Sequence, residues 1–198
     1  IHKSAFADCT SLIEISLPSS VIKIGNCAFA NCTKLSKIKI DPYTIQKIGD
    51  DIFKNCTSLD HLVISTQETL IRKFKFDQIS KIKKIEIDAS DQDQFIDDCA
   101  FEEMPTLEAI IIPPSVKNIG KNSFEGCPSL SNISLPSLNS IDNSAFRECR
   151  SIKEVAIPTD LKRIGVSAFS DCSKLKKISF SELSPIESIE DYTFQGCV

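Results

Sequence analysis

Apolar residues recur along this chain in units of 22 to 25 residues. Each unit opens with a phenylalanine, places a cysteine or another apolar residue three positions later, and an aliphatic residue three positions after that. Two more apolar residues follow with period two, the spacing of side chains on one face of a β-strand. The pattern therefore predicts one short strand in every unit. The phenylalanines are Phe6, Phe29, Phe53, Phe76, Phe101, Phe124, Phe146, Phe169 and Phe194.

A second apolar pair follows most of these strands, as in Val116 and Ile119, and predicts a return segment along the other side of the unit. A proline such as Pro113 separates the two, and it ends the first strand because it has no N–H for the ladder. A glycine such as Gly120 commonly follows the return segment, where we expect it to permit a bend. Ala-Phe or Ser-Phe then begins a turn that we expect to be helical or irregular.

A period of about 23 residues is long enough for one coil of a solenoid and lies in the range of leucine-rich repeats. A single coil cannot bury its own apolar edge, so neighbouring coils must cover it. Equivalent strands would then pair in parallel, about 4.8 Å apart. The sequence predicts a solenoid with one short parallel strand per repeat and about eight complete repeats.

The repeat runs through the whole chain, which predicts a single domain over residues 1–198. A degenerate middle repeat occupies 65–99, where Glu68 replaces an apolar residue and 88–99 carries an acidic insert. Phe76 and Ile79 keep their core positions, so we expect the array to continue through it. Neither end carries the polar cap that a repeat array needs, and we expect the chain to be a segment of a longer protein.

Charge and composition exclude several functional classes. A net charge of −4 and a pI near 5.3 do not favour a general binder of nucleic acid or anionic membranes. The longest apolar runs are only a few residues, so no segment is predicted to insert into a membrane. The sequence has two histidines, no HExxH and no glycine-rich phosphate loop. We therefore predict a protein that is not an enzyme and uses no cofactor.

The nine cysteines raise the alternative of a disulfide framework, since equivalent positions one coil apart fall within disulfide range. However, the position that holds cysteine in seven units holds Ile79 and Met104 in two others. A position that accepts all three residue types is an apolar core position, so we predict seven buried free thiols. Cys27 and Cys99 lie outside this position, and we expect them to be the exposed cysteines.

The strand residues that alternate with the core residues are predicted to line one long face, which is the best candidate for binding. Its middle is unusually apolar for a surface in water, a composition that favours a protein contact, although ordinary variation on an open sheet is an equal alternative. The candidate residues are His61, Val63, Lys84, Glu86, Ala109, Ile111, Asn132 and Ser134.

A charged region at 72–103 offers another kind of site. A basic run that includes Arg72 and Lys84 precedes an acidic run that includes Asp88 and Asp98. Clustered carboxylates are what calcium prefers, but the ligand order of an EF-hand is missing. Charge compensation between neighbouring coils explains the pattern at least as well as a calcium or glycan site.

The unit A-F-x-x-C-x-x-L-x-x-I-x-I-P-x-S-V-x-x-I-G stands almost whole at Ala5 to Gly25, and at Ala100 to Gly120 with Met104 in place of cysteine. It resembles the BspA-type (treponemal) class of leucine-rich repeats over essentially the whole chain. The resemblance implies a right-handed leucine-rich-repeat solenoid, of the α/β horseshoe class but rich in strands. It also implies a cell-surface or secreted protein that adheres to host proteins or cells, and it offers no catalytic residues.

Three functions follow from these observations. The first is a non-enzymatic adhesion or protein-interaction module with an extracellular or cell-surface location and a protein partner. The second is an intracellular, cytoplasmic scaffold that uses the same face, which a core of reduced thiols would suit equally well. The third is a calcium-dependent or glycan-binding module centred on 72–103.

Overall fold

The computed structural model describes residues 1–40, 45–64, 81–88, 94–182 and 184–198. Fifteen short β-strands joined by turns make up these residues, and no helix occurs among them. Every strand pair is parallel, as a solenoid requires. The predictions at Glu68, Arg72, Phe76 and Ile79 lie outside the described residues.

The period-two pairs form the first strand of each coil, as predicted. These strands are β1 (Glu14–Ser16), β3 (Lys37–Ile40), β5 (His61–Ile64), β6 (Lys84–Ile87), β8 (Ala109–Ile111), β10 (Asn132–Ile133), β12 (Glu154–Ala156) and β14 (Lys177–Ser179). The return segments form strands of two to four residues on the other side, namely β2 (Lys23–Ile24), β4 (Lys47–Ile48), β7 (Gln94–Ile96), β9 (Val116–Ile119), β11 (Ser140–Ile141), β13 (Arg163–Ile164) and β15 (Ser188–Ile189).

Equivalent residues of successive coils pair directly. Ile15 is the partner of Ile38, and Leu62 is the partner of Ile85. The strand β6 of the degenerate coil pairs with β5 on one side and β8 on the other. The array therefore continues through the degenerate coil, as predicted, because its strand keeps the aliphatic residues of the core.

The continuous sheet of first strands contains six members, β1-β3-β5-β6-β8-β10, while β12 and β14 form a separate pair. The prediction gave about eight complete repeats, whereas the continuous sheet of first strands contains six of them. The interruption follows the coil from Phe124 to Phe146, which at 22 residues is the shortest, and its strand β10 is only two residues long. The return strands cross the interruption, because β11 pairs with both β9 and β13.

The sequence predicted a helical or irregular turn around each phenylalanine. The turns described by the structure are irregular and contain no helix. In most coils the residues two before and two after the phenylalanine have positive φ, such as Ser144 (55°) and Glu148 (60°) around Phe146. The N–H groups of these two residues and of Phe146 all donate to the next coil. Because these donors point along the stack, they cannot form the i to i−4 bonds of a helix.

The phenylalanines stack into a column inside the solenoid. Phe101, Phe124, Phe146 and Phe169 follow one another at ring-centroid distances of 5.1 Å, with interplanar angles of 3° to 12°. Phe124, Phe146 and Phe169 have no exposed surface. Aliphatic residues of the strands pack around the column and complete one continuous core.

The glycines after the return strands serve close packing rather than a bend, which corrects the sequence interpretation. Gly120 and Gly165 do not have positive φ. A Cβ on Gly165 would lie 2.6 Å from the backbone nitrogen of Asn143 in the preceding coil, and one on Gly120 would lie 2.7 Å from the carbonyl carbon of Asp97. At these two positions a Cβ would therefore clash with the backbone of the preceding coil.

Candidate functional site

The side chains that point away from the core along the first strands form one surface, which we call the β-face. The pairing register brings the predicted residues together in two rows that run along the stack. The first row contains Lys37, His61, Lys84, Ala109 and Asn132, and the second contains Lys39, Val63, Glu86 and Ile111. Ser134 follows β10 and is exposed.

Two ion pairs reach across the strand β5. Lys37 Nζ lies 4.0 Å from Glu86 Oε2, and Lys39 is paired with Asp88. Each pair joins β3 to the coil of β6 and therefore spans the strand between them. Val63 lies on that strand and is only 5% exposed. Although Val63 belongs to the β-face by register, its side chain is not available at the surface.

His61 is a half-buried member of the same charged region. Its Nε2 atom lies 3.3 Å from Glu86 Oε2 but makes no hydrogen bond among the described residues, so the contact is electrostatic. Burial lowers the pKa of His61, and the nearby Lys84 and Lys37 lower it further, while Glu86 opposes the shift. His61 is therefore biased toward the neutral form. The groups that act on it, Lys84, Lys37 and Glu86, include no cysteine or serine that could serve as a nucleophile.

The part of the β-face on β8 and β10 is uncharged and more open. Ile111 is a large aliphatic side chain with 44% of its surface exposed. In the pairing register Ile111 lies beside Glu86. Ala109, two residues earlier on β8, lies beside Asn132 of β10. Together with Ser134 these residues form a small surface of apolar and neutral polar groups. Their role in binding stays a prediction.

Seven cysteines occupy the repeated position and were predicted to be buried, but only five of them are. Cys32, Cys56, Cys127, Cys149 and Cys172 are buried, Cys197 is half-buried and Cys9 is exposed. Cys9 belongs to the Phe6 coil, which the described coils cover on one side only. Cys27 and Cys99, predicted to be exposed, are half-buried at positions of positive φ.

The buried thiols make a hydrogen bond that the sequence did not reveal. The Sγ atom of Cys149 donates to the carbonyl oxygen of Phe124 in the preceding coil at 3.2 Å. The same bond recurs from Cys127 to Phe101 at 3.1 Å and from Cys172 to Phe146 at 3.2 Å. A thiol is a weak donor of the size of a small apolar group, so it fills the core and also binds the carbonyl. Met104, which replaces cysteine in one coil and is buried, can supply only the first of these.

These thiols are expected to resist alkylation in the folded protein. Burial raises the pKa of Cys127 and of Cys172 to about 12. At pH 8 such a thiol is ionised to only about one part in ten thousand, and the thiolate is the reactive form. With iodoacetamide at pH 8, peptide mass spectrometry should find Cys9 labelled first and Cys127 and Cys172 unlabelled.

The control is the same reaction in guanidinium chloride, where all nine cysteines should react. Labelling of Cys127 at the rate of Cys9 in the folded protein would contradict the position of the thiols in the core.

A calcium or other metal site is not formed by the residues that the structure describes, since they contain no group of three or more His, Cys, Asp or Glu side chains with suitable proximity. Much of the region 72–103, on which the calcium alternative is centred, lies outside those residues. The described chain also has no helix with the length and hydropathy of a membrane span.

Comparisons with known proteins agree with the repeat geometry. The sequence model of the BspA type leucine rich repeat region matches residues 1–92 and 94–198 in six copies, fewer than the eight repeats predicted from the phenylalanine spacing. A comparison with curated proteins found no match for this chain.

Among solved structures, the pneumococcal vaccine antigen PcpA is similar with 19% identity and a TM-score of 0.52, over 90% of this chain and 56% of PcpA. The Treponema pallidum leucine rich repeat protein is 24% identical with a TM-score of 0.47, over 85% of this chain and 69% of the other. This chain thus spans little more than half of PcpA, and the likeness concerns the fold.

Proposed function

Because the chain belongs to the BspA-type leucine-rich repeat family, we propose that it is a non-enzymatic interaction module that binds a protein partner through the β-face. The family supports the general role, since repeat solenoids present extended surfaces for binding. We further propose a cell-surface or secreted location and adhesion to host proteins or cells. The intracellular scaffold remains the alternative location for the same activity.

The exposure of Ile111 is the reason for placing the contact on the β-face. Ile111 is a large aliphatic residue with 44% of its surface exposed, and it lies on the regular central strand β8. Complete burial of a fully exposed side chain of this size contributes about 1.5–3 kcal/mol, so covering the exposed part of Ile111 would contribute about 0.7–1.3 kcal/mol. The strands on both sides fix the position of β8, so a partner would meet a preorganised surface.

The charged part of the β-face has a different role in this proposal. Lys37, Lys39, Glu86 and Asp88 compensate one another within the protein. Pairs of this kind contribute selectivity and orientation more than affinity. The uncharged part around Ile111 is therefore the proposed centre of the contact, with the ion pairs at its margin.

The substitution Ile111→Asp tests this function. It places a charge at the proposed centre and should weaken saturable binding of the chain to surface proteins of cultured epithelial cells by at least about tenfold, because the cost of desolvating the new carboxylate adds to the lost apolar burial. Binding is measured with the purified chain on intact cells and on a cytosolic extract of the same cells. Preference for the intact surface supports adhesion over the scaffold.

Ile22→Asp provides the matched control, because Ile22 is 57% exposed but precedes the return strand β2 and lies off the β-face. It should leave binding within about twofold of the unmodified protein, a surface effect. Equal binding by both variants and the unmodified protein would refute a contact at the β-face.

A further inference from the structure

A row of residues directly before the first strands carries charges that alternate in sign through the middle of the protein. Asp60, Lys83 and Glu108 hold this position in three successive coils, and the backbone bonds Lys83 N–H to Asp60 O and Glu108 N–H to Lys83 O place them side by side. Lys83 Nζ lies 3.1 Å from Glu108 Oε1. Neighbouring coils therefore compensate each other's charge here.

The same row holds two lysines in the coils of β12 and β14. Lys176 N–H donates to the carbonyl of Lys153 at 2.8 Å, so these two residues are neighbours along the stack. Both side chains are exposed, as are those of Lys174 and Lys177. Like charges on neighbouring strands are destabilising, in contrast to the compensated middle coils.

No carboxylate in the described part of the chain forms an ion pair with any of these four lysines. Glu154 is in register with Lys177, and Arg150, three residues before Lys153, pairs with Glu148 at 2.7 Å. The negative net charge of the whole chain therefore conceals a local surface of uncompensated positive charge.

We propose that Lys153, Lys174, Lys176 and Lys177, which we call the lysine surface, bind a linear sulfated polysaccharide. A polyanion would relieve the repulsion between neighbouring coils and gain free energy by releasing counterions. Ser179 lies two residues after Lys177 on β14, on the same side of the strand, and offers a hydroxyl group there. This inference goes beyond the proposed function, because it concerns other residues and another class of ligand.

The chemistry of the lysine surface favours a polysaccharide over an acidic polypeptide. Protein contacts draw most of their affinity from buried aromatic, arginine or aliphatic anchors. The outward residues here are lysines, Glu154, Ala156 and serines, while Val155 and Ile178 alternate with them and point to the core. Binding must then rely on charge density, which a sulfated polymer supplies without an anchor.

The experiment measures heparin binding by the purified chain at several salt concentrations, compared with the double variant Lys153→Ser/Lys176→Ser. The control is Lys23→Ser/Lys47→Ser, which removes the same charge from an exposed pair of lysines in register on the return strands β2 and β4. The lysine-surface variant should bind heparin at least about tenfold more weakly at low salt, and the slope of log affinity against log salt should fall by about 1 to 2.

The control variant should stay within about twofold of the unmodified protein, as expected for lysines outside the site. Equal losses in both variants would show general attraction to charge and overturn the proposal, and so would an absence of heparin binding at low salt. Polyglutamate of matched charge is the second probe. If it binds as tightly as heparin with the same dependence on Lys153 and Lys176, the ligand is an acidic polypeptide and the proposal is wrong.

Discussion

Replacing Phe124 with alanine should destabilise the protein by about 3–5 kcal/mol, the range found for buried aromatic residues. The ring has no exposed surface and stacks on Phe101 and Phe146, each at a centroid distance of 5.1 Å. Its removal would leave a cavity and interrupt the column between two coils. The free energy of unfolding in urea, monitored by circular dichroism, measures the effect.

Phe95→Ala is the matched control, because Phe95 is 46% exposed on β7 and occupies no position in the column. We expect it to change the free energy of unfolding by less than about 1 kcal/mol, as for other surface substitutions. The milder Phe124→Leu keeps most of the volume and should fall between the two. A cost for Phe124→Ala no larger than that for Phe95→Ala would exclude the stacked column.

Gly165→Ala should destabilise the protein by about 3 kcal/mol, at the upper end of the range for overpacking. The added Cβ would meet the backbone of Asn143 at 2.6 Å and that of Asp142 at 2.7 Å. Backbone atoms cannot rotate away as a side chain can, so two coils would have to separate. That separation would strain the bond from Gly165 N–H to Ile141 O, now 2.9 Å. Urea unfolding again measures the cost.

The comparison for this prediction is Gly126→Asn. Gly126 has a φ of +69°, but the equivalent positions hold Glu148 and Asp171, both with φ near 60°. A Cβ on Gly126 would approach no atom closer than 3.5 Å. Asparagine tolerates this conformation, so we expect a cost of at most about 1 kcal/mol. A larger cost for Gly126→Asn than for Gly165→Ala would mean that backbone conformation, not coil spacing, selects glycine here.

The candidate surface could be predicted in part. Strand periodicity placed all eight candidate residues along one side, because alternation along a strand is a local property. It did not predict that Val63 is covered while Ile111 is open. The cover comes from Lys37 and Lys39, which reach two coils along to Glu86 and Asp88, and such contacts depend on side-chain conformation.

The sequence by itself determined the solenoid, the place of each first strand and the residues of the core. It could do so because a repeated apolar pattern leaves no other way to bury its edges than to stack equivalent coils. Tertiary structure decided the non-helical turns, the close approach at Gly165, the thiol bond from Cys149 to Phe124 and the interruption after β10. Each of these depends on how one coil meets the next, and no pattern within a single repeat describes that distance.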